Sequence, residues 1–272
     1  MHIGIGTILT SYSIDILDLA PKVEKFGFES IWTGDQPVLP VNTEKKIPKI
    51  WGDIPDPLII LSRASAVTKN LKLGTAIYIV NERNPLNIAK EVASLDMYSN
   101  GRFIFGVGTG SIKEEAILFN SDFDHRWTQA KENIEALKEL WTKDKSEYHG
   151  QYYNFNPVYS YPKPISKPHP KVLLGSMVDK AFRRIVDYAD GWIPIGLEPN
   201  LIKKGRDKLN KLAEKSNRNP SEIDITVLDV KPDKKVIDEF KKAGANRVII
   251  SLKTDNKQNS FKELEQIDIN CL

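Results

Sequence analysis

A glycine-rich segment is the first candidate for chemistry. Residues 106–110 read Gly-Val-Gly-Thr-Gly and follow an apolar run that predicts a strand. Glycines allow a flat ring or a phosphate to approach the backbone closely. The segment is not a dinucleotide-binding fingerprint, because the third glycine would stand at position 111, which is Ser111. We therefore expect a cofactor ring beside these glycines, with a tight turn that binds nothing as the alternative.

Two further polar segments follow predicted strands. Gly175, Ser176 and Met177 precede a predicted helix, and the amide groups of a helix N-terminus, together with a serine hydroxyl, can hold a phosphate. Asp35 and Gln36 follow another strand, where polar side chains can orient a cofactor or a substrate. Both have a structural alternative, since serine is a common helix N-cap and aspartate is a common turn residue.

Glu114 and Glu115 follow the glycine-rich segment and could each act as an acid or base. Glu114 is the candidate retained for proton transfer, with the tyrosines of residues 142–170 as the alternative source of a proton. Glu114 and Glu115 are also typical of an exposed first helical turn, where the helix dipole favours carboxylates. The four histidines are scattered, without metal-ligand spacing and without cysteine partners. The sequence therefore predicts no metal site.

The elements that must position these residues alternate along the chain. Short apolar runs of strand length are each followed by a segment with helical periodicity. Eight such units predict a single domain over residues 1–272, an α/β fold of the (β/α)₈ TIM-barrel class, with an open doubly wound sheet as the alternative. The predicted strands are 2–7, 29–33, 71–80, 102–107, 171–175, 191–195, 223–228 and 246–252.

Two long excursions interrupt the alternation, after the second and the fourth predicted strands. Residues 34–55 are rich in proline and charge, and we expect this loop to cover the substrate. Residues 142–170 are rich in tyrosine and proline and could link two domains. A tyrosine-rich composition is unusual for a flexible linker, so we favour an ordered excursion across the barrel.

The composition argues against several classes of protein. The chain carries a formal net charge of +3 with interleaved acidic and basic residues, whereas nucleic-acid binding favours a concentrated basic stripe. The one cysteine, Cys271, has no partner for an internal disulfide, which fits a reducing cytoplasm. No apolar stretch is long enough to span a bilayer, and the N-terminus lacks the pattern of a signal peptide. We expect a cytoplasmic protein with neither a nucleic-acid nor a membrane partner.

Several strings, taken in order, resemble the luciferase-like oxidoreductases. They are GFESIWTGD (27–35), LGTAI (73–77), RNP (83–85), LD (95–96), SNGR (99–102), GVGTG (106–110), GQYY (150–153), PKP (162–164) and DGWIP (190–194). Each string is weak alone, whereas the ordered set is specific and covers nearly the whole chain. Within this superfamily the chain is most similar to the short enzymes that use a deazaflavin.

The resemblance implies a bacterial-luciferase-like barrel, usually a homodimer, with a flavin or deazaflavin ring in the barrel mouth. It also implies a non-prolyl cis peptide bond behind the ring at the end of the third strand, here Ala76–Ile77. The residues assigned to the cofactor by the resemblance and by the polar segments are Asp35, Ala76, Ile77, Gly108, Thr109, Gly110, Gly175, Ser176 and Met177.

The activity that the resemblance implies is hydride transfer between a deazaflavin of the coenzyme F420 type and a small organic substrate, with Gln36 and Glu114 as candidate catalytic residues. One alternative is an FMN-dependent monooxygenase that receives reduced flavin from a separate reductase. Another is a flavin-binding protein without turnover, because Gln36 stands where many relatives have a histidine and Ser111 where some deazaflavin dehydrogenases have a glutamate. These departures argue against the sugar-phosphate dehydrogenase activity of one branch.

Overall fold

The computed structural model describes residues 1–176, 179–267 and 269. Eight strands in this part of the chain pair in parallel, each with the next and the eighth with the first, and so close into a barrel. The predicted (β/α)₈ barrel is confirmed, and the open sheet is excluded. The strands are β1 (His2–Gly6), β2 (Ser30–Thr33), β3 (Lys72–Thr75), β4 (Phe103–Gly108), β5 (Lys171–Leu174), β6 (Gly191–Trp192), β7 (Asp224–Val227) and β8 (Arg247–Ser251).

Every barrel strand is followed by at least one helix. The helix starts carry clear signals, as at Asp56 and Asn84, whose side chains accept hydrogen bonds from backbone amides of the first turn just before a proline. The helices are α1 (Ile16–Lys25), α2 (Pro57–Val67), α3 (Pro85–Tyr98), α4 (Lys113–Leu118), α5 (Arg126–Thr142), α6 (Ala181–Tyr188), α7 (Pro199–Lys215), α8 (Lys234–Lys242) and α9 (Lys257–Glu265).

The third predicted strand is divided in two. Pairing with β2 ends at Thr75. The peptide bond between Ala76 and Ile77, just beyond this point, is cis. A short second strand, Tyr78–Ile79, then pairs with the end of β4. The prediction of one continuous strand over 71–80 is therefore wrong, because an apolar run reports burial and not unbroken pairing.

One other strand differs from its prediction by a few residues. The strand predicted over 191–195 forms a ladder only at Gly191–Trp192. The first helix begins at Ile16, because Asp15 acts as its N-cap. Cys271 lies outside the described residues.

A compact apolar layer fills the barrel beneath its mouth. Trp32 belongs to this layer, and its indole N–H donates a hydrogen bond of 2.8 Å to Ser30 Oγ. Gly74 leaves room for the indole, because a Cβ atom at this position would lie 2.2 Å from the ring. Ala76 and Ile77 pack against this layer, which gives them a rigid support. Its buried members are Trp32, Ile104, Leu173, Ile193 and Ile249.

The tyrosine-rich excursion is ordered as expected, and its central part lies along α5. Its central part is an antiparallel hairpin of strands Ser146–His149 and Asn154–Val158. Tyr148 donates a hydrogen bond of 2.8 Å to Glu135 of α5. Farther along, the amide and the hydroxyl of Ser166 each donate a hydrogen bond of 2.8 Å to the Asp96 carboxylate, so the excursion runs from α5 to α3.

The loop after β2 is held at both ends. Its only regular element within the described residues is a 3₁₀ turn, Lys49–Asp53. The Asp53 carboxylate accepts hydrogen bonds from the backbone amide and the hydroxyl of Ser11, at 3.0 and 2.7 Å. Near the other end, the amide of Glu44 donates to the Glu114 carboxylate at 2.6 Å. Within the described chain, no helix combines the length and apolar composition needed to cross a membrane.

Candidate active site

A cavity of about 500 Å³ opens at the carboxyl ends of the barrel strands. This volume lies within the range of cofactor and substrate sites. Glu114 does not line the cavity, and Met177 lies outside the described residues. The predicted site residues that do line it are Asp35, Gln36, Ala76, Ile77, Gly108, Thr109, Gly110, Gly175 and Ser176.

The cavity floor is built around Ile77. The peptide bond before it is cis, as the resemblance implied. A Cβ atom at Gly108 would lie 2.5 Å from Ile77 Cδ1, and one at Gly175 would lie 2.8 Å from Ile77 Cγ2. Glycine at both positions therefore lets Ile77 lie flat against the ends of β4 and β5. The resulting surface is apolar and carries no Cβ atom at Gly108 or Gly175, which fits the face of a flat ring.

Asp35 is the anchor between β2 and the strand after β3. Its buried carboxylate accepts two hydrogen bonds from the Arg83 guanidinium, at 2.7 and 3.0 Å, and one of 2.9 Å from the amide of Ile79. Burial raises the pKa of Asp35, and the Arg83 and Ile79 donors oppose that shift. Arg83 also contacts Asp56, the N-cap of α2, at 3.2 Å. The bidentate geometry fixes the backbone beside the cavity.

A pair of buried carboxyl groups, Glu82 and Glu115, lies next to the floor. Both Glu82 oxygens and Glu115 Oε2 are buried without a hydrogen-bond donor among the described residues. Burial, reinforced by Glu115, raises the pKa of Glu82 to about 9, and burial also raises the pKa of Glu115. Two carboxyl groups in contact avoid repulsion by sharing a proton. The pair can therefore hold a proton at neutral pH beside the cavity.

Glu115 is the member of the pair that reaches the cavity. Its Oε1 accepts a hydrogen bond of 2.6 Å from Gln36 Nε2 and one of 3.3 Å from the amide of Val38. Glu114 projects elsewhere and binds the loop after β2. Glu114 was the predicted acid or base, although Glu115 lies three residues after the buried Ile112, the N-cap of α4. This three-residue spacing was the available signal.

The rim of the cavity is aromatic and basic. Trp51 comes from the loop after β2 and Phe123 from the segment between α4 and α5, whereas Arg126 and Trp127 belong to the first turn of α5. Lys45 completes the rim and donates a hydrogen bond of 2.8 Å to the carbonyl of Ser111. Phe123, Arg126 and Trp127 were not predicted to line the site, because nothing in their spacing marks a common site. Among the described residues, no group of three potential metal ligands occurs.

Relatives of known sequence include enzymes that use each of the two cofactors. An uncharacterized protein of Mycobacterium tuberculosis is 29% identical over 98% of this chain and 97% of its own length. The F420-dependent glucose-6-phosphate dehydrogenase of Amycolatopsis mediterranei is 30% identical over 55% of this chain and 44% of its own. The FMNH(2)-dependent dimethylsulfone monooxygenase of Pseudomonas putida is 32% identical over 47% of this chain and 35% of its own length.

Solved structures share the whole fold. The monooxygenase RslO1 of Streptomyces bottropensis superimposes with a TM-score of 0.81 at 18% identity, covering 100% of this chain and 98% of its own. An F420-dependent secondary alcohol dehydrogenase, with an F420-acetone adduct, gives a TM-score of 0.78 at 19% identity over 100% and 98%. The family model described as luciferase-like monooxygenase matches residues 8–230. The chain therefore belongs to the luciferase-like monooxygenase family of flavin- and F420-dependent oxidoreductases.

Proposed function

We propose that the protein transfers hydride between a deazaflavin of the coenzyme F420 type and a small organic substrate in the barrel mouth. The observation that carries this proposal is the floor formed by the cis peptide bond Ala76–Ile77 against Gly108 and Gly175. When bound there, a deazaflavin supplies a ring carbon that donates or accepts hydride. The protein's own residues orient the ring, exclude water and manage the proton.

The cofactor would lie between two sides of the cavity. Ile77 supports one face of the ring, and the segment Gly108–Gly110 lines its edge. Gly175 and Ser176 follow β5 on the chain's way to α6. The amide of Gly175 already donates a hydrogen bond of 2.8 Å to the carbonyl of Val107, so Ser176 is the candidate for a phosphate contact. Asp35 does not touch the ring in this scheme; it holds Ile79, and hence the floor, through the contacts with Arg83.

Glu115 is the proposed proton-transferring group. Hydride transfer to a carbonyl, or from an alcohol, moves a proton at the substrate oxygen, and that step needs an acid or base within reach. Glu115 lines the cavity, and Glu82 shares its proton from behind. Gln36 does not titrate, but its amide orients Glu115 Oε1. Glu114 has no part in this scheme, because its carboxylate binds the amide of Glu44.

Two alternatives remain as outcomes of the test. The FMNH(2)-dependent dimethylsulfone monooxygenase relative favours a monooxygenase that uses reduced FMN, for which a separate reductase would be the source. The F420-dependent relatives favour the deazaflavin. A flavin-binding protein without turnover would bind a cofactor tightly and never exchange hydride. A homodimer is proposed on the family resemblance alone.

The proposed site is tested by titrating purified protein with F420 and with FMN and following fluorescence. Gly108→Val would push Ile77 into the cavity, so we expect its dissociation constant to rise about 10-fold or more while the melting temperature changes little. Ala66→Val, on the exposed face of α2, is the matched control and should bind as the wild type does. Unchanged binding by Gly108→Val would show that the ring lies elsewhere.

A further inference from the structure

Arg126 is an unpaired cation at the rim of the cavity. One of its terminal nitrogens donates a hydrogen bond of 2.7 Å to the carbonyl of Phe123, and its guanidinium lies 4.4 Å from the centre of the Phe123 ring. These two contacts fix the plane of the guanidinium. No carboxylate of the described residues lies within 4.0 Å of it. Its remaining N–H groups are therefore available to a ligand in the cavity.

Lys45 is a second cation on the same rim. Its ammonium group donates one hydrogen bond of 2.8 Å, to the carbonyl of Ser111, and can donate two more. In the described part of the chain it forms no ion pair with a carboxylate. The contact with Ser111 holds the exposed lysine over the cavity, because Ser111 itself lines it.

The carboxyl groups that line the cavity do not neutralise these two cations. Asp35 is bonded to Arg83, which lies behind it. Glu115 is bonded to Gln36 and faces Glu82, and burial favours its protonated form. Outside the cavity lies Glu114, whose pKa is lowered by backbone hydrogen bonds and in part by Lys113 and Lys45. Inside the cavity the positive charge of the rim has no counter-charge, and an anionic ligand group would supply it.

The surface beside the cations is apolar and broad. Trp51 and Trp127 stand on the rim, and Ile195 and Leu228 line the wall across the barrel. Trp127 is held from outside by Arg184, whose guanidinium lies 4.8 Å from the indole. Aromatic rings on a cavity wall favour a ligand with a flat or apolar body. A single ligand that carries both an apolar body and an anionic group would therefore match the rim and the wall of the cavity.

We infer that the substrate is an organic anion, in which a carboxylate-type group is bound by Arg126 and Lys45 and an apolar body lies against Trp51 and Trp127. This inference rests on the proposed function, since it takes the barrel mouth as the reaction site. The fork of the guanidinium suits two oxygens of one carboxylate. The substrate's reacting carbon then lies on the inner side, toward Glu115 and the floor.

The test uses benzoate and its neutral counterpart benzamide as probes. Their dissociation constants are measured by calorimetry and by tryptophan fluorescence, with protein loaded with whichever of F420 and FMN it binds, and with unloaded protein. The variants are Arg126→Gln, Arg126→Lys and Lys45→Gln. The matched controls are Arg183→Gln and Lys46→Gln, which remove exposed cations that do not line the cavity. Thermal melting verifies that each variant is folded.

We expect benzoate to bind about 10-fold more tightly than benzamide, and Arg126→Gln to remove that preference while Arg126→Lys keeps part of it. The controls should retain it in full. Equal dissociation constants for benzoate and benzamide would overturn the inference. It would also be overturned if Arg126→Gln bound the cofactor more weakly but benzoate as tightly as the wild type, because Arg126 would then bind the cofactor. If neither cofactor binds, the proposed function fails, and the benzoate preference of unloaded protein decides this inference separately.

Discussion

The side-chain amide of Gln36 donates a hydrogen bond of 2.6 Å to Oε1 of Glu115, and this contact joins the loop after β2 to the helix after β4. Two residues that follow different strands thus form one unit at the cavity edge. Because the Gln36 amide is hydrogen-bonded to Oε1 of Glu115, the second oxygen, Oε2, remains for the interaction with Glu82. The unit couples the position of the loop to the group that holds the proton.

The first prediction concerns the proton. Glu115→Gln keeps an oxygen acceptor for Gln36 but cannot donate or accept a proton, so we expect kcat to fall about 100-fold or more with the cofactor dissociation constant unchanged. Stopped-flow absorbance of the bound cofactor measures this with any substrate found in a screen. Glu114→Gln, the neighbouring control, should stay within a few-fold of the wild type. A larger loss for Glu114→Gln than for Glu115→Gln would reverse the assignment.

The second prediction concerns pH and stability. The pKa of Glu82 is raised to about 9 in the folded state, above its ordinary value of 4.5. The contribution of Glu82 to the free energy of unfolding is therefore fully present below pH 4.5 and is lost as the pH rises toward 9, because Glu82 ionises in the unfolded state but stays protonated in the folded state over this range. Between pH 5 and 8 the free energy of unfolding of Glu82→Gln should therefore fall by about 2 to 4 kcal/mol less than that of the wild type.

Urea unfolding at several pH values checks this expectation for Glu82. The exposed Glu222→Gln serves as the control and should keep the slope of the wild type. If Glu82→Gln and wild type lose free energy of unfolding in parallel, Glu82 does not hold the proton.

The third prediction concerns the ion pair behind the floor. Arg83→Met leaves the buried Asp35 carboxylate without its bidentate partner, which should lower the free energy of unfolding by about 3 to 5 kcal/mol. Adding Asp35→Asn removes the stranded charge, so the double variant should be more stable than Arg83→Met alone. Denaturant unfolding measures both, and a double variant that is less stable than the single one would contradict a paired, charged Asp35.

The fourth prediction concerns the loop after β2. Gln36→Ala removes the donor to Glu115 and leaves the contacts of Asp53 with Ser11 in place. We expect the loop to open more often, so trypsin should cleave at Lys45 or Lys46 several-fold faster. Asn42→Ala, an exposed change within the same loop, should leave the cleavage rate unaltered. Equal rates for both variants would mean that Gln36 does not restrain the loop.

The barrel could be predicted from the sequence because its signals are local. Each apolar run and each amphipathic segment reports its own state, and eight units favour closure. Residues such as Asp56 and Asn84 mark helix starts without reference to the rest of the chain. The cis bond at Ala76–Ile77 was foreseen only through the family resemblance, since composition cannot distinguish it from a continuous strand.

The carboxyl pair could not be predicted in the same way. Glu82 and Glu115 belong to different strand–helix units, and their contact depends on how β3 and β4 end side by side. Nothing in the residues around Glu82 marks it as buried. The choice of Glu114 over Glu115 shows a second limit, because a helix of six residues offers little periodicity with which to identify its inner face.

The most direct test of the central claim is the affinity of the purified protein for F420 compared with FMN, followed by anaerobic exposure of the loaded protein to candidate organic anions. We expect selective binding of F420, and a change in its absorbance at the cofactor band when a substrate is oxidised or reduced. Selective binding of FMN would contradict the deazaflavin and favour the monooxygenase. Binding of neither cofactor by folded protein would contradict the assignment of the barrel mouth as a redox site.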